Sequence, residues 1–201
     1  RHADLGKATM KTVLEKFPKA NPLVLKANWL ASSYIENLGG GKFELRELPM
    51  AAQLAPVNGI LAEDFNGDGH QDLLLAGNDF GTEVGMGRYD AMNGQVLLGD
   101  GKGNFATQPM QRSGICIPDD AKGLTTVASS DGNMLVIAGQ NKGSLKIFQS
   151  NTPNKAIALQ PNDFTLLLKW KDGHTERREI GYGQGFLSQP TRSLFLPEEV
   201  Q

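Results

Sequence analysis

The stretch Asp64-Phe-Asn-Gly-Asp-Gly-His-Gln-Asp-Leu-Leu-Leu-Ala-Gly-Asn78 decides how this chain can fold. Its first nine residues carry oxygen-bearing side chains at positions 1, 3, 5 and 9. The glycines between them let the backbone curl so that alternate side chains converge. An EF-hand requires a glutamate at position 12, where Leu75 stands. The leucines therefore predict a loop that feeds a β-strand rather than a helix.

The residue types in this loop predict a calcium site. Calcium takes six to eight oxygen ligands, mostly carboxylates and carbonyls. The predicted ligands are Asp64, Asn66, Asp68, the backbone carbonyl of His70, and Asp72. A cage of this kind has no obvious open position, so the role we expect for the ion is structural. The alternative is a solvated Asn-Gly/Asp-Gly turn with incidental acids.

An internal repeat extends the pattern to the rest of the chain. A displacement of 62 residues superimposes Gly39, Gly41 and Phe43 on Gly101, Gly103 and Phe105, and Pro56 on Pro118. It also places Leu73, Ala76 and Gly77 on Leu135, Ala138 and Gly139. Repeats of this length in β-rich sequences are typical of propeller blades. Chance alignment of glycine turns and leucine-rich strands is the alternative.

The second copy of the loop has lost the predicted cage. At the same displacement the ligand positions become Thr126, Ala128, Ser130 and Met134, and the acid Asp131 is out of register. The sequence therefore predicts one metal site rather than two.

Around the repeat we expect an N-terminal helical segment (1–22), two β repeats (23–150) and a small C-terminal β unit (160–201). Asp4 is the predicted N-cap of a helix over 4–17, with Phe17 as its last apolar residue and Pro18 just beyond it. Segment 150–163 is predicted to be a connection. Asp172-Gly173 predicts a tight hairpin turn. Strands are expected near 23–35, 43–48, 57–63, 72–77, 95–98, 123–128, 133–138, 144–148, 164–170 and 175–180.

Composition narrows the class of protein. The 24 glycines and 10 prolines favour a turn-rich β protein, and the net charge of −2 gives no basic face for nucleic acid. No apolar run predicts a transmembrane segment. The chain begins at Arg1, so we expect a mature or trimmed piece. Cys116, between two isoleucines, is predicted to be a buried apolar thiol.

Segment 78–94 is predicted to be an insertion between the repeats. The second repeat reaches its next strand soon after Gln140, and long loops on β scaffolds commonly carry binding residues. The candidate ligand-binding residues there, suited to a carbohydrate or peptide, are Asp79, Glu83, Arg88, Tyr89 and Asp90. The alternative is an ordinary loop in which Arg88 pairs with one of the acids.

The sequence offers little material for catalysis. Its three histidines are His2, His70 and His174, and Ser188 lies outside any Gly-x-Ser-x-Gly elbow. Glu83 and Asp90 could form a glycosidase pair only if their separation suits it. Trp170, Tyr182 and Phe186 could form an aromatic ligand platform, but they are more typical of the core and edge of a small β domain.

With these motifs in view, the chain resembles the FG-GAP/VCBS repeat proteins that end in an ASPIC/UnbV domain, a branch that includes cartilage acidic protein and many bacterial cell-surface proteins. The motifs are residues 64–78, the turns Asn37-Leu-Gly-Gly-Gly-Lys-Phe43 and Gly99-Asp-Gly-Lys-Gly-Asn-Phe105, and a C-terminal stretch, Arg178-Glu-Ile-Gly-Tyr-Gly-Gln-Gly-Phe-Leu-Ser-Gln-Pro-Thr-Arg192. The resemblance covers about 25–150 and 160–197. It implies a β-propeller, calcium in the blade loops and an extracellular or cell-surface setting.

Two repeats are too few to close a propeller. We therefore expect a C-terminal portion of a longer protein whose open sheet edges are covered by further blades, by the chain's own terminal segments or by a second copy. The expected function is a non-enzymatic surface module for adhesion or ligand binding. A fragment of a carbohydrate-active enzyme and a purely structural spacer are the alternatives. Side chains of 78–94 that converge in a cleft would favour the enzyme or specific ligand capture.

Overall fold

A computed structural model describes residues 2–15, 23, 25–152, 154–183, 185–197 and 200, and it divides into two compact units. In the first unit, which ends at Leu30, two short helices are formed by His2–Leu5 (α1) and Met10–Leu14 (α2). The single helix predicted over 4–17 is therefore wrong. Thr9, rather than Asp4, caps α2 through a reciprocal bond with Thr12, because its hydroxyl satisfies a free N–H of the first turn. Phe17 and Pro18 lie outside the described residues.

The second unit, from Ala31 onward, is built from antiparallel β-sheets, which confirms the all-β prediction. Its strands are Ser33–Gly39 (β1), Lys42–Glu47 (β2), Val57–Glu63 (β3), Asp72–Gly77 (β4), Gln95–Gly99 (β5), Phe105–Gln108 (β6), Ala121–Ala128 (β7), Met134–Gln140 (β8), Lys146–Gln149 (β9), Lys155–Ala158 (β10), Thr165–Lys169 (β11), Thr175–Glu179 (β12) and Ser193–Leu196 (β13). Met50–Ala52 forms a 3₁₀ helix and Met110–Ser113 a one-turn helix, α3.

The strands form five separate sheets, and none of them closes on itself among the described residues. The two larger sheets have the meander orders β3-β4-β5-β6 and β7-β8-β9. The hairpins β1-β2 and β11-β12 and the pair β10-β13 complete the set. No helix of the described residues is long and apolar enough to cross a membrane.

The predicted repeat holds for two of its three parts. Tyr34 pairs with Arg46 as Val96 pairs with Gln108, so the hairpin β1-β2 matches β5-β6 at the displacement of 62. Strand β4 matches β8 at the same displacement. Strand β3 does not match β7 there: Leu61 pairs with Leu74 and Thr126 with Val136, so Leu61 corresponds to Thr126, 65 residues on. The displacement changes because the second loop is three residues shorter.

The same pairing confirms that 78–94 is an insertion. Seventeen residues (78–94) separate β4 from β5, whereas five (141–145) separate β8 from β9. After β9 the repeat ends differently. Strand β10 follows β9 along the chain as β6 follows β5, but β10 pairs with β13 and leaves the outer edge of β9 open.

One apolar core joins the two larger sheets. It contains side chains of β3, β4 and β5, side chains of β7 and β8, and two residues of the connection between the sheets: Leu61, Leu74, Ala76, Val96, Ile115, Ile117, Ala121, Leu124, Val136 and Ala138. Full burial of each leucine, isoleucine or valine contributes about 1.5–3 kcal/mol. Gly59 allows the close approach of β3 to β7, because a Cβ there would lie 2.8 Å from Cγ of Leu124.

The sequence missed or misplaced several elements. Strands β6, β10 and β13 were not predicted, and β10 lies inside the supposed connection 150–163. The strand predicted over 23–35 begins only at Ser33. Cys116 is exposed, which contradicts the buried-thiol prediction. Because Ile115 and Ile117 both turn into the core, the residue between them faces outward.

Candidate metal centre

The loop between β3 and β4 is organised by the carboxylate of Asp64. Its Oδ1 accepts the N–H groups of Gly67 and Asp68 at 2.6 and 3.2 Å, and its Oδ2 accepts that of Gly69 at 2.9 Å. Gly67 and Gly69 have φ angles of 82° and 84°, in the left-handed region that favours glycine. Asp64 therefore closes the curl that the spacing predicted.

Asp72 ends the loop as a fully buried carboxylate, with 0% of its surface exposed. Its Oδ2 accepts the N–H of Phe65 at 3.0 Å and its Oδ1 that of Gly99 at 2.9 Å. Burial raises the pKa of Asp72; the two hydrogen bonds oppose this effect, and the charges of Asp68 and Asp64 add to it. Among the described residues no lysine, arginine or histidine forms an ion pair with Asp64, Asp68 or Asp72. Negative charge thus accumulates here without a protein counter-charge.

Asn66 and Asp68 continue the alternation of ligand-type side chains. The Asn66 Oδ1 accepts the N–H of Asp68, and its Nδ2 donates to Asp68 Oδ2, both at 2.9 Å. The Asp68 Oδ1 accepts the N–H of His70 at 2.9 Å. The His70 ring lies against the next turn, because a Cβ on Gly101 would be 2.6 Å from its Nδ1. This leaves the His70 carbonyl, not its imidazole, as the group expected to serve a cation.

The loop fits a calcium ion in donor chemistry. A carboxylate has about four lone-pair positions. The hydrogen bonds above leave at least one of these on Asp64 and two each on Asp68 and Asp72. In the part of the chain that the structure describes, no three acidic, histidine or cysteine side chains are already placed around a common point. A cation would therefore have to draw these side chains together by small rotations.

Elements distant in sequence contact this loop. A Cβ on Gly67 would lie 3.0 Å from Cγ2 of Thr152, whose Oγ1 donates to the Phe65 carbonyl at 2.5 Å. A Cβ on Gly69 would lie 3.3 Å from the ring of Trp170. Together with the bond from Gly99 to Asp72, these contacts tie β3-β4 to β5 and to the C-terminal hairpin. Ordering the loop would therefore order several elements at once.

The equivalent loop of the second repeat, 129–133, is self-contained. Ser129 Oγ donates to Asp131 at 2.5 Å and Asn133 Nδ2 at 2.7 Å. These hydrogen bonds lower the pKa of Asp131, the Ser129 bond most. Because the displacement changes, Thr126 and Ala128 lie in β7 rather than in the loop. The equivalents of Asp64 and Asn66 taken at a displacement of 62 are therefore wrong, whereas Met134 does correspond to Asp72 in the matched strands, and the loss of the acids is real.

The candidate residues of the insertion do not gather around one point. Asp79 and Tyr89 form a backbone bridge, with N–H to carbonyl distances of 2.9 and 3.0 Å. Arg88 stacks over the Phe80 ring at 4.7 Å and, among the described residues, pairs with neither Glu83 nor Asp90. Glu83, Arg88, Tyr89 and Asp90 are exposed. This arrangement is the one expected of a plain loop.

A buried polar network beneath the insertion was not predicted from the sequence. The Asn78 side chain donates to the Met92 carbonyl at 2.7 Å and accepts the Met92 N–H at 3.0 Å. Asp120, 1% exposed, lies 2.6 Å from Lys122 Nζ and accepts Asn141 Nδ2 at 3.0 Å. Burial raises the pKa of Asp120, but the Lys122 and Asn141 contacts outweigh it and lower the pKa overall. The only sequence signal is the mixture of polar and apolar residues at the start of β7.

Glu63 is a second residue that the sequence did not single out. Burial, with the nearby charge of Asp64, raises its pKa to about 7 against the opposing charge of Arg178. Its place at the last position of β3, one residue before the loop, could have drawn attention to it.

The aromatic residues of the C-terminal unit fall into two groups. Trp170 stacks on His174 with ring centroids 5.0 Å apart, beside the loop. Tyr182 packs edge-on against Phe164 at 6.2 Å, and Arg192 lies 4.5 Å above the Tyr182 ring. Ser188 Oγ donates to the Phe186 carbonyl at 3.2 Å. Trp170 and Tyr182 therefore belong to different clusters rather than to one platform.

Comparison of the chain with protein-family models, with curated proteins and with solved structures gave no match.

Proposed function

We propose that this chain is a calcium-stabilised β module whose loop 64–72 binds one Ca²⁺. The observation that carries this proposal is the environment of Asp72. A fully buried carboxylate beside two further acids, with no basic partner, is costly unless a cation compensates it. The ligands would be the five residues that the sequence indicated: Asp64, Asn66, Asp68, His70 through its carbonyl, and Asp72.

The protein's own groups define what the cation would do. Bound Ca²⁺ would supply positive charge and would be coordinated by the oxygen atoms of these residues. Asp64 and Asp72 hold the two ends of the loop, and Gly67 and Gly69 allow Thr152 and Trp170 to pack on it. Neutralising the acids would therefore favour the packed arrangement of the first sheet and the C-terminal hairpin. Binding energy would appear as folding energy.

The wider setting is part of the same proposal. We infer that the two larger sheets are FG-GAP/VCBS-type propeller blades followed by an ASPIC/UnbV-like unit, in an extracellular or cell-surface protein. Support comes from the meander order and from the hairpin β1-β2, which repeats β5-β6 without the two strands that precede them. Further blades or a second copy would then complete the open edges. We propose adhesion or ligand binding through surfaces other than the insertion, because its scattered side chains favour neither catalysis nor specific ligand capture there.

Calcium dependence of stability tests the metal role. At calcium a hundredfold above Kd the stabilisation is about 2.7 kcal/mol, or about 8 °C in melting temperature for a unit of this size. We expect that shift on comparing calcium with excess chelator by calorimetry, and we expect Asp68→Ala to remove it. Asp131→Ala, in the shorter loop, is the matched control and should keep it. Identical melting of the wild-type protein in both conditions would exclude the role.

A further inference from the structure

A cleft of about 690 Å³ separates β3 and β7 from the C-terminal segment. This volume lies within the range of ligand sites in proteins. Four consecutive residues of β3, Ile60 to Glu63, line one side. Six consecutive residues, Glu176 to Gly181, line the opposite side and include most of β12. The insertion contributes no residue to it.

The run of consecutive residues shows how the strands meet the cleft. A strand that turns a face toward a cavity contributes every second residue, because side chains alternate. A strand that contributes consecutive residues presents its edge. Among the residues that the structure describes, strand β3 pairs with β4 alone and strand β12 with β11 alone. Two unpaired strand edges therefore line the same cavity, and each carries backbone N–H and C=O groups without strand partners.

The backbone groups of β3 along the cleft make few hydrogen bonds to other described parts of the chain. Residues 60–63 make one hydrogen bond to a described residue outside β4. With the Gln71 amide oriented so that both its nitrogen and its oxygen find partners, the nitrogen donates to the Ala62 carbonyl at 3.2 Å. The oxygen of that amide accepts Arg178 Nη2 at 3.3 Å. Leu61, Leu124 and Leu194, each less than a tenth exposed, supply apolar lining.

Two charged groups in the cleft form no ion pair with a described residue, although the charge of Arg178 acts on Glu63 at longer range. The Glu63 carboxyl makes no hydrogen bond or ion pair with any described residue. Among the described residues, Arg192 donates only to the carbonyls of Gln160 and Asp163 and lies over the Tyr182 ring, and its Nη1 is buried without a partner there. The remaining acids are neutralised locally, since Glu176 pairs with Arg178 at 2.7 Å and Glu179 with Arg177 at 2.9 Å.

We propose that this cleft binds an extended peptide, which adds as a β-strand along the edge of β3 and faces β12. The repeating N–H and C=O groups of a strand edge match the backbone of a peptide, and main-chain hydrogen bonds supply affinity in this mode of recognition. The bound segment alternates apolar side chains with polar ones. It places a basic side chain at Glu63 and an acceptor oxygen at Arg192. None of the proposed calcium ligands lines this cleft, although the metal loop packs against the hairpin that carries β12.

Binding of a defined probe tests the proposal. The probe is a fluorescently labelled octapeptide, blocked at both ends, that alternates valine with threonine, lysine and glutamate. We expect saturable binding by fluorescence anisotropy and slower amide exchange at residues 60–63 and 176–179. The control probe has the same sequence with N-methyl groups on alternate residues, which remove the hydrogen-bond donors of one edge. We expect it to bind at least tenfold more weakly.

An internal control and a variant complete the design. Strand β9 has an open outer edge away from the cleft, so Lys146–Gln149 should show unchanged exchange. Glu63→Gln should weaken binding of the probe about tenfold, whereas Glu83→Gln in the exposed insertion should not. Absence of binding, equal binding of the methylated probe, or protection at β9 instead of β3 would each overturn the proposal. The exchange readout stands even if Glu63→Gln misfolds.

Discussion

Each of the two repeats buries one carboxylate, but the pKa values of these two carboxylates are shifted in opposite directions. Asp120, just before β7, lies 2.6 Å from Lys122, and the pKa of its carboxyl is lowered. Asp72, at the start of β4, has acids rather than a base nearby, and the pKa of its carboxyl is raised. The two residues are 1% and 0% exposed. Burial is the main cause of the raised pKa of Asp72, and the nearby acids add to it, whereas the contacts of Asp120 with Lys122 and Asn141 outweigh the effect of burial on its pKa.

The difference indicates where each repeat obtains its positive charge. The second repeat carries a lysine within the fold, two residues from its buried acid. The first has no such group among the described residues, and under the proposed function it would take its positive charge from a cation in solution. Variants that remove the source of positive charge from one repeat at a time test these two explanations separately.

The largest effect is expected from Lys122→Ala. It leaves Asp120 as a buried charge supported only by hydrogen bonds, which costs about 3 kcal/mol at pH 7. Urea unfolding measures the change, with Lys146→Ala on the open strand β9 as the control. Equal stabilities of the two variants would mean that Asp120 does not need its lysine.

Asp72→Ala should follow, with a loss of about 2 kcal/mol without calcium. Two N–H groups, those of Phe65 and Gly99, lose their acceptor at a buried site. The variant should also lose any calcium-dependent gain in melting temperature, which calorimetry measures. A retained calcium response would remove Asp72 from the ligand set.

The pH dependence of the Lys122→Ala cost sharpens the contrast. Because the pKa of Asp120 is lower in the folded state, its charge stabilises the protein above the ordinary aspartate pKa of about 4. This contribution is lost as the pH falls below that value toward the folded-state pKa. The difference in unfolding free energy between wild type and Lys122→Ala should therefore shrink between pH 7 and pH 3. A difference that is constant with pH would contradict the pairing.

The smallest effect is expected from Asp131→Ala. This acid is exposed and bonded only to Ser129 and Asn133 within its own short loop. Its removal should change the unfolding midpoint by no more than the measurement error, with or without calcium. A calcium-dependent change here would show that the second loop also holds an ion.

The sequence predicted those elements whose signals are local. The apolar strands β4 and β8, the Asp-Gly turn after Trp170 and the curl of the loop follow from neighbouring residues. Strands β6, β10 and β13 have four residues each and were missed, but β9 is equally short and was predicted, so length alone does not explain the omission. The change in displacement at β7 was hidden because an ungapped alignment cannot show a shorter loop.

The environment of the candidate site was beyond the reach of sequence. Nothing near Gly69 indicates that Trp170, a hundred residues away, packs on it, and nothing near Asp120 reveals that it is buried. Burial and distant contacts depend on tertiary packing. The residues of the insertion were chosen for their chemistry alone. The structure joins Asp79 to Tyr89 through the backbone and places Arg88 over Phe80, but it does not gather the five candidates into one cluster.

The pairing of β10 with β13 has a kinetic consequence. During synthesis β10 emerges directly after β9, whose outer edge is free, whereas β13 emerges about forty residues later, or about 2–8 seconds at ordinary elongation rates. A local hairpin forms in microseconds. We therefore expect β9 and β10 to associate first, and β10 to exchange β9 for β13 once β13 has been synthesised. Truncation before β13 should therefore leave β10 paired with β9. The synthesis of β13 would then determine when the native pairing of β10 can form.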